Sequence, residues 1–172
     1  MRIALTGTPG TGKTTIAALL PYRMIDINAL VKEGLNFGPD PLRGCLEADM
    51  DALARRLEEL EGDEICILEG HFSHHFADWS IVLRLEPHLL RKRLEARRYS
   101  QEKIRENLEA EALDVILVEA VEMCSRVDEI DTSEKTAEEV AMLVTRIIRG
   151  DLKSPPGQVD WLTDFFGPDC LL

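Results

Sequence analysis

The stretch GTPGTGKTT, residues 7 to 15, constrains this chain more than any other. Gly7, Gly12, Lys13 and Thr14 satisfy the spacing G-x-x-x-x-G-K-[ST]. They lie between an apolar run, Ile3 to Thr6, and a segment with helical character, so the glycines fall where a strand must turn into a helix. There the backbone can bend until successive N–H groups converge on phosphate oxygens, and the positive end of the following helix points at the same place. Lys13 adds a mobile charge suited to β and γ phosphates, and the Thr14 hydroxyl can join the shell of a Mg2+ ion. The pattern predicts a cradle for a nucleoside triphosphate.

Four further segments read as strands: Met24 to Ile27, Ile65 to Leu68, Ser80 to Leu85 and Val127 to Ile130. Most are continuous apolar runs, as expected of parallel strands covered on both faces. Helical spacing separates them. Leu46, Met50, Leu53, Leu57 and Leu60 form one stripe and predict a helix over LEADMDALARRLEELE. A longer helix is expected from Ser100 to Cys124, and a last one opens on Thr136 and Glu139 as a capping box and closes at Gly150. The alternation implies an α/β fold, a three-layer P-loop NTPase with a five-stranded parallel sheet, whose ligands lie beyond the C-terminal strand ends.

With 172 residues, 45% of them apolar, one core is the expectation. The net charge of -12 argues against binding bulk nucleic acid. Eight basic residues against three acids between Arg84 and Arg105 nevertheless permit one local anion site. Cysteines at 45, 66, 124 and 170 have no C-x-x-C spacing, so a zinc cluster or redox pair is not expected. No apolar run is long enough for a signal peptide or a membrane span, which points to a soluble, cytoplasmic protein.

A P-loop needs a second carboxylate near its metal, normally at the end of another buried strand. In EICILEGH, Glu69 has that position, either as a Mg2+ ligand acting through water or as a solvated strand-end acid. His71 is a substrate contact or a structural loop histidine, and His74 and His75 read as loop residues without a spaced metal partner. The three asparagines stand outside any N-K-x-D guanine reader, and motor or AAA-type ATPases are usually larger units, so a small-molecule kinase is favoured. In RKRLEARRY, Arg93 and Arg97 share a helical face and are followed by Arg98. They either close over phosphates or form a solvated basic helix end.

The P-loop, the strand end LEGH, the segment DWSIVLRLEPHLLRKRLEARRYSQEKIRENLEAE and the loop IDTSEKTAEEV together resemble the adenylate kinase isoenzyme 6 family, over residues 1 to 149. The resemblance implies a nucleoside monophosphate kinase fold with a short lid. It divides the chain into a kinase domain at 1–150, with a monophosphate-binding arm at about 26–49 and a lid at about 96–106, and a C-terminal extension at 151–172. It implies that Gly10, Gly12, Lys13, Thr14 and Thr15 bind ATP, that Arg97 is the lid arginine, that Lys13 and Arg97 stabilise transferred charge, and that Asp131 to Lys135 lie against adenine. Lys32, Arg84 and His71 are candidates for the monophosphate, with Thr14 and Glu69 for Mg2+.

The implied reaction is reversible transfer from MgATP to AMP giving two ADP, with ATPase activity beside it. Family members also assist maturation of the small ribosomal subunit with ribosomal protein uS11 as partner, for which an acidic face between Glu106 and Glu139 is the candidate surface here. A kinase for another monophosphate or for dephospho-coenzyme A is the remaining alternative. Three positions depart from the family pattern: Glu69 stands where aspartate is usual, Lys32 where an arginine is, and Arg98 where the lid commonly has glycine. The tail aromatics Trp161, Phe165 and Phe166 are expected to dock on the parent domain.

Overall fold

The computed structural model describes residues 1–40 and 45–162. Its sheet has strands β1 (Arg2–Thr6), β2 (Arg23–Asp26), β5 (Cys66–Glu69), β6 (Trp79–Arg84) and β7 (Arg126–Asp131), all parallel, in the order β2-β5-β1-β6-β7. The five strands are those expected from the apolar runs. β1 lies at the centre, so the phosphate loop leaves the sheet between β5 and β6, beyond the C-terminal strand ends where open α/β sheets hold ligands.

Alternation along the central strands sends side chains into two covering layers. Ile3, Leu5, Ile67, Ile81 and Leu83 pack with α1 (Lys13–Ala17) and α7 (Ala137–Arg149). Cys66 and Leu68 face the opposite way, onto Ile27 and Val31 of α2 (Ile27–Lys32) and Leu53 and Leu57 of α3 (Met50–Glu59). Leu85 packs with α4 (Pro87–Ala96) and α5 (Gln101–Ala112), and Val82 with α6 (Val115–Met123). β2 is half-buried to exposed because it forms an edge, unlike the central strands, which are covered on both faces.

Two helices differ from expectation. The stripe from Leu46 yields a helix only from Met50, because the Asp49 side chain accepts from Ala52 N–H at 2.9 Å and caps it there. Leu46 belongs instead to β4 (Cys45–Ala48), paired antiparallel with β3 (Asn36–Asp40) in a hairpin that the sequence reading missed. The long helix from Ser100 breaks into α5 and α6, with Asp114 between them in the left-handed region at φ 57°. α7 follows its sequence closely: Thr136 and Glu139 form the full capping box, and Gly150 ends the helix at φ 82°.

Beyond α7 the chain returns to the free edge of β7. Glu129 N–H donates to Ser154 O at 2.7 Å, Ser154 Oγ to Glu129 O at 2.6 Å, and the N–H groups of Gly157 and Gln158 to Glu129 Oε2 at 2.8 and 2.9 Å. This cover protects an otherwise open sheet edge. Among the described residues it rests on these hydrogen bonds together with Leu152 against the core. Of the aromatics expected to dock, Trp161 is half-buried, and Phe165 and Phe166 lie outside the described residues. No helix among the described residues is long and apolar enough to cross a membrane.

Candidate active site

Close backbone approach builds the phosphate loop. Gly7 has φ 136°, and a Cβ there would stand 2.4 Å from the carbonyl oxygen of Leu83 on β6. Gly10 has φ 104°, and its Cβ would meet Leu90 Cδ1 of α4 at 2.7 Å. Glycine is the residue that fits both constraints. Thr11 tightens the turn, its N–H donating to Thr8 O at 3.2 Å and its hydroxyl to the same oxygen at 3.0 Å. α1 then starts at Lys13, and its first N–H groups have no partner within the helix.

Lys13 is only 7% exposed, and its Nζ donates to Gly7 O at 2.7 Å and Thr8 O at 3.0 Å. Burial lowers its pKa to about 8, although Glu69 and Glu111 oppose the shift; Arg97 adds to it. Glu69 ends β5 in register with Leu5 of β1 and Asp26 of β2. It is 2% exposed, and burial pushes its carboxyl above the usual range against the pull of Lys13 and a hydrogen bond from Thr14. Crowding by protein atoms, and then Lys13, lower the pKa of His71 to about 4, so its ring is neutral at ordinary pH.

These groups share one cavity of about 510 Å³. Gly10, Gly12, Lys13, Thr14, Thr15, Lys32, Glu69, His71 and Arg97 all line it. So do Asn28, Phe72, Tyr99 and Lys103, which sequence reasoning had not assigned. Asn28 could have been found, since it stands four residues before Lys32 and therefore shares its face of α2. Lys103 lies in the first turn of α5, which Ser100 caps at 3.2 Å.

Arg84 does not belong to this group. It ends β6 at 2% exposure, among the carboxylates of Glu111 (2.9 Å), Glu129 (2.7 Å) and Asp114, and is absent from the cavity lining. The expectation that it holds a monophosphate is therefore corrected: its guanidinium is already committed. Glu111 also accepts from the Thr8 hydroxyl and from Leu85 N–H at 3.0 Å, so the same cluster braces the phosphate loop. The arginines of α4 also divide their work. Arg93 donates to Gly10 O at 3.2 Å, while Arg97, the C-cap of α4, faces the cavity. Arg98 is left-handed at φ 59°, the conformation that makes glycine the ordinary choice there.

The loop after β7 packs against the back of the phosphate loop. Thr132 Oγ1 lies 2.8 Å from Arg84 O and 3.5 Å from Thr11 O, and Ser133 Oγ accepts from Glu86 N–H at 2.9 Å. The acidic face expected from Glu106 to Glu139 is interrupted. Glu111, Asp128 and Glu129 are buried, and Asp114 is paired with Arg84.

Residues 3–114 match the family model described as an AAA domain. Size had spoken against an AAA-type unit. A curated protein of Methanothermobacter thermautotrophicus named "Putative adenylate kinase" is 48% identical, over 92% of this chain and 96% of its own length. Another of the same name from Methanosarcina barkeri is 46% identical, over 94% of this chain and 98% of its own. Among solved structures, the shikimate kinase of Acinetobacter baumannii in complex with shikimate superposes with a TM-score of 0.58 at 17% identity, covering 87% of this chain and 93% of that one. That likeness concerns the fold. The two archaeal matches run nearly end to end, and the chain belongs to the family of archaeal proteins that carry this adenylate kinase name.

Proposed function

We propose that the protein is a nucleoside monophosphate kinase that transfers the γ-phosphoryl group of ATP to AMP, yielding two ADP. The observation that carries this reading is the shared cavity, in which a phosphate loop with Lys13 meets three further cations, Lys32, Arg97 and Lys103. They come from α1, α2, the end of α4 and α5, so cations converge on the cavity from several sides and can hold a donor and an acceptor phosphate together. The names of the archaeal relatives support the same reading.

In this reading Lys13 exchanges its two carbonyl acceptors for phosphate oxygens. Arg97 closes from the end of α4 over the transferred group, with residues 96–106 acting as the lid, and charge spread over the equatorial oxygens meets fixed cations rather than water. Asn28 and Lys32 hold the acceptor from α2, within an arm spanning roughly 26–49. No general base is needed, because the acceptor phosphate is already anionic. Thr14 and Glu69 offer hard oxygen donors on one cavity wall, which suits Mg2+. When bound there, the ion neutralises charge between the β and γ phosphates.

ADP formation from ATP should depend on added AMP, and Lys13→Met should lower turnover by about 10³-fold or more while the protein stays folded. Turnover of that variant at the parent rate removes this reading. A panel of AMP, CMP, UMP and GMP identifies the acceptor. A second reading, ATP hydrolysis linked to small-subunit maturation with uS11, has one observation in its favour: Glu69 and His71 line the cavity, where either can position a water by hydrogen bonding. Hydrolysis without acceptor that is lost in His71→Ala, with AMP-dependent transfer retained, would support its hydrolytic part, and a pull-down of uS11 with and without ATP tests the partnership.

A further inference from the structure

A second constellation lies outside the nucleotide cavity, where the 3-10 turn Ser73–Phe76 packs on β1 and α6. His74 is 1% exposed, with Nδ1 3.2 Å from the Thr6 hydroxyl. That hydroxyl has a single proton, which it donates to His71 O at 3.1 Å. Toward His74 it therefore accepts, which places the imidazole proton on Nδ1 and leaves Nε2 with its lone pair. Nε2 is buried with no hydrogen-bond partner, yet it lies 3.3 Å from Glu119 Oε2 on α6. Two unprotonated acceptors facing each other at that distance repel unless a proton or a metal cation lies between them.

The neighbouring His75 completes the set. Its ring centroid is 4.5 Å from that of His74, and one ligand atom from each of His74, His75 and Glu119 falls within 4.8 Å of the others. A tetrahedral Zn2+ with bonds of ~2.0–2.1 Å to nitrogen and oxygen keeps its ligands roughly 3.3 Å apart, which is the spacing between Nε2 and Oε2. His75 is exposed, and its ligand atom lies within 4.8 Å of the other two. The Thr6 hydroxyl supplies what metal-bound histidines usually have, an acceptor for the other ring N–H that fixes tautomer and orientation.

We propose that His74, His75 and Glu119 form a site for a divalent first-row transition metal of the Zn2+ class, with its fourth position open to water. Two nitrogens and one carboxylate favour such an ion over Mg2+ or Ca2+. The ion would clip the turn that follows Glu69 to α6. The proposal departs from the sequence reading of both histidines as loop residues: Glu119, more than forty positions away, is a partner that spacing could not supply.

The test uses the full chain after chelator dialysis and without nucleotide, since triphosphates bind metals themselves. Zn2+ is titrated against a chromophoric chelator, and Co2+ is added separately to record a visible spectrum. One Zn2+ per chain is expected in the parent protein. Affinity should fall by more than ~10-fold in His75→Ala and in Glu119→Ala, because even outer-shell losses cost ~10–100-fold; both side chains are exposed, so folding should survive. Co2+ should give d–d bands without thiolate charge transfer. A thiolate band would assign the metal to cysteine, for instance Cys124, whose Sγ lies 3.5 Å from His74 O, and would overturn the proposal. So would absence of binding, or variants that bind as the parent does.

Discussion

At the scale of single residues, burial decides what Lys13 can do. Its folded pKa of about 8 lies below the ordinary 10.5, so between those values the unfolded chain binds more protons than the folded one. Stability therefore rises with pH across that window, and the cost of burying the charge is fully present below about pH 8. A bound phosphate reverses the preference by favouring the ammonium. MgATP affinity should accordingly be constant near pH 7 and fall as the pH passes about 8, with proton uptake on binding; calorimetry in buffers of different ionisation enthalpy measures both. Arg84 offers a contrasting case. Arg84→Met leaves Glu111, Glu129 and Asp114 without their shared cation, which should cost roughly 3–5 kcal/mol in urea denaturation. A monophosphate-binding role would instead raise the KM for AMP in a protein of normal stability.

At the scale of elements, what the sequence concealed was settled by distant partners. The helical period runs unbroken from Ser100 to Cys124, yet the chain turns at Asp114, where the carboxylate is held by Arg84, thirty residues earlier. No local pattern encodes that capture. Leu46 likewise fits the helical stripe but is drawn into a hairpin, because Asp49 caps α3 behind it. The α7 helix was legible in full, since its signals at Thr136, Glu139 and Gly150 act within a few residues of themselves. The C-terminal segment has its own measurable share. Truncation after Gly150 removes two N–H donors from Glu129 and the Ser154 pairing on β7. Hydrogen bonds to a charged group contribute ~1.5–3 kcal/mol each, so the melting midpoint should drop by about 5 °C or more; an unchanged midpoint in calorimetry would show that the segment contributes nothing.

For the whole molecule, the parallel sheet was readable because four-residue apolar runs separated by helical periods admit few other folds. Within the sheets, the edge placement of β2 and the hairpin at β3 and β4 escaped. Most of the candidate site was readable too, since a phosphate loop carries its own chemistry in its spacing. Arg84 was misplaced because a cation in a basic stretch looks free until the acids around it are folded into view. The same internal pairing hides part of the -12 net charge, so surface charge is a poorer guide to partners here than composition suggests.

The buried carboxylate of Glu129 grips the returning chain end with Oε2 and Arg84 with Oε1. Arg84 in turn grips Glu111, which grips Thr8 of the phosphate loop. The segment that follows α7 and the phosphate loop that follows β1 are thus joined by a continuous polar relay through the interior. Inactivating substitutions should accumulate along that line as well as around the nucleotide, at positions that never touch a substrate.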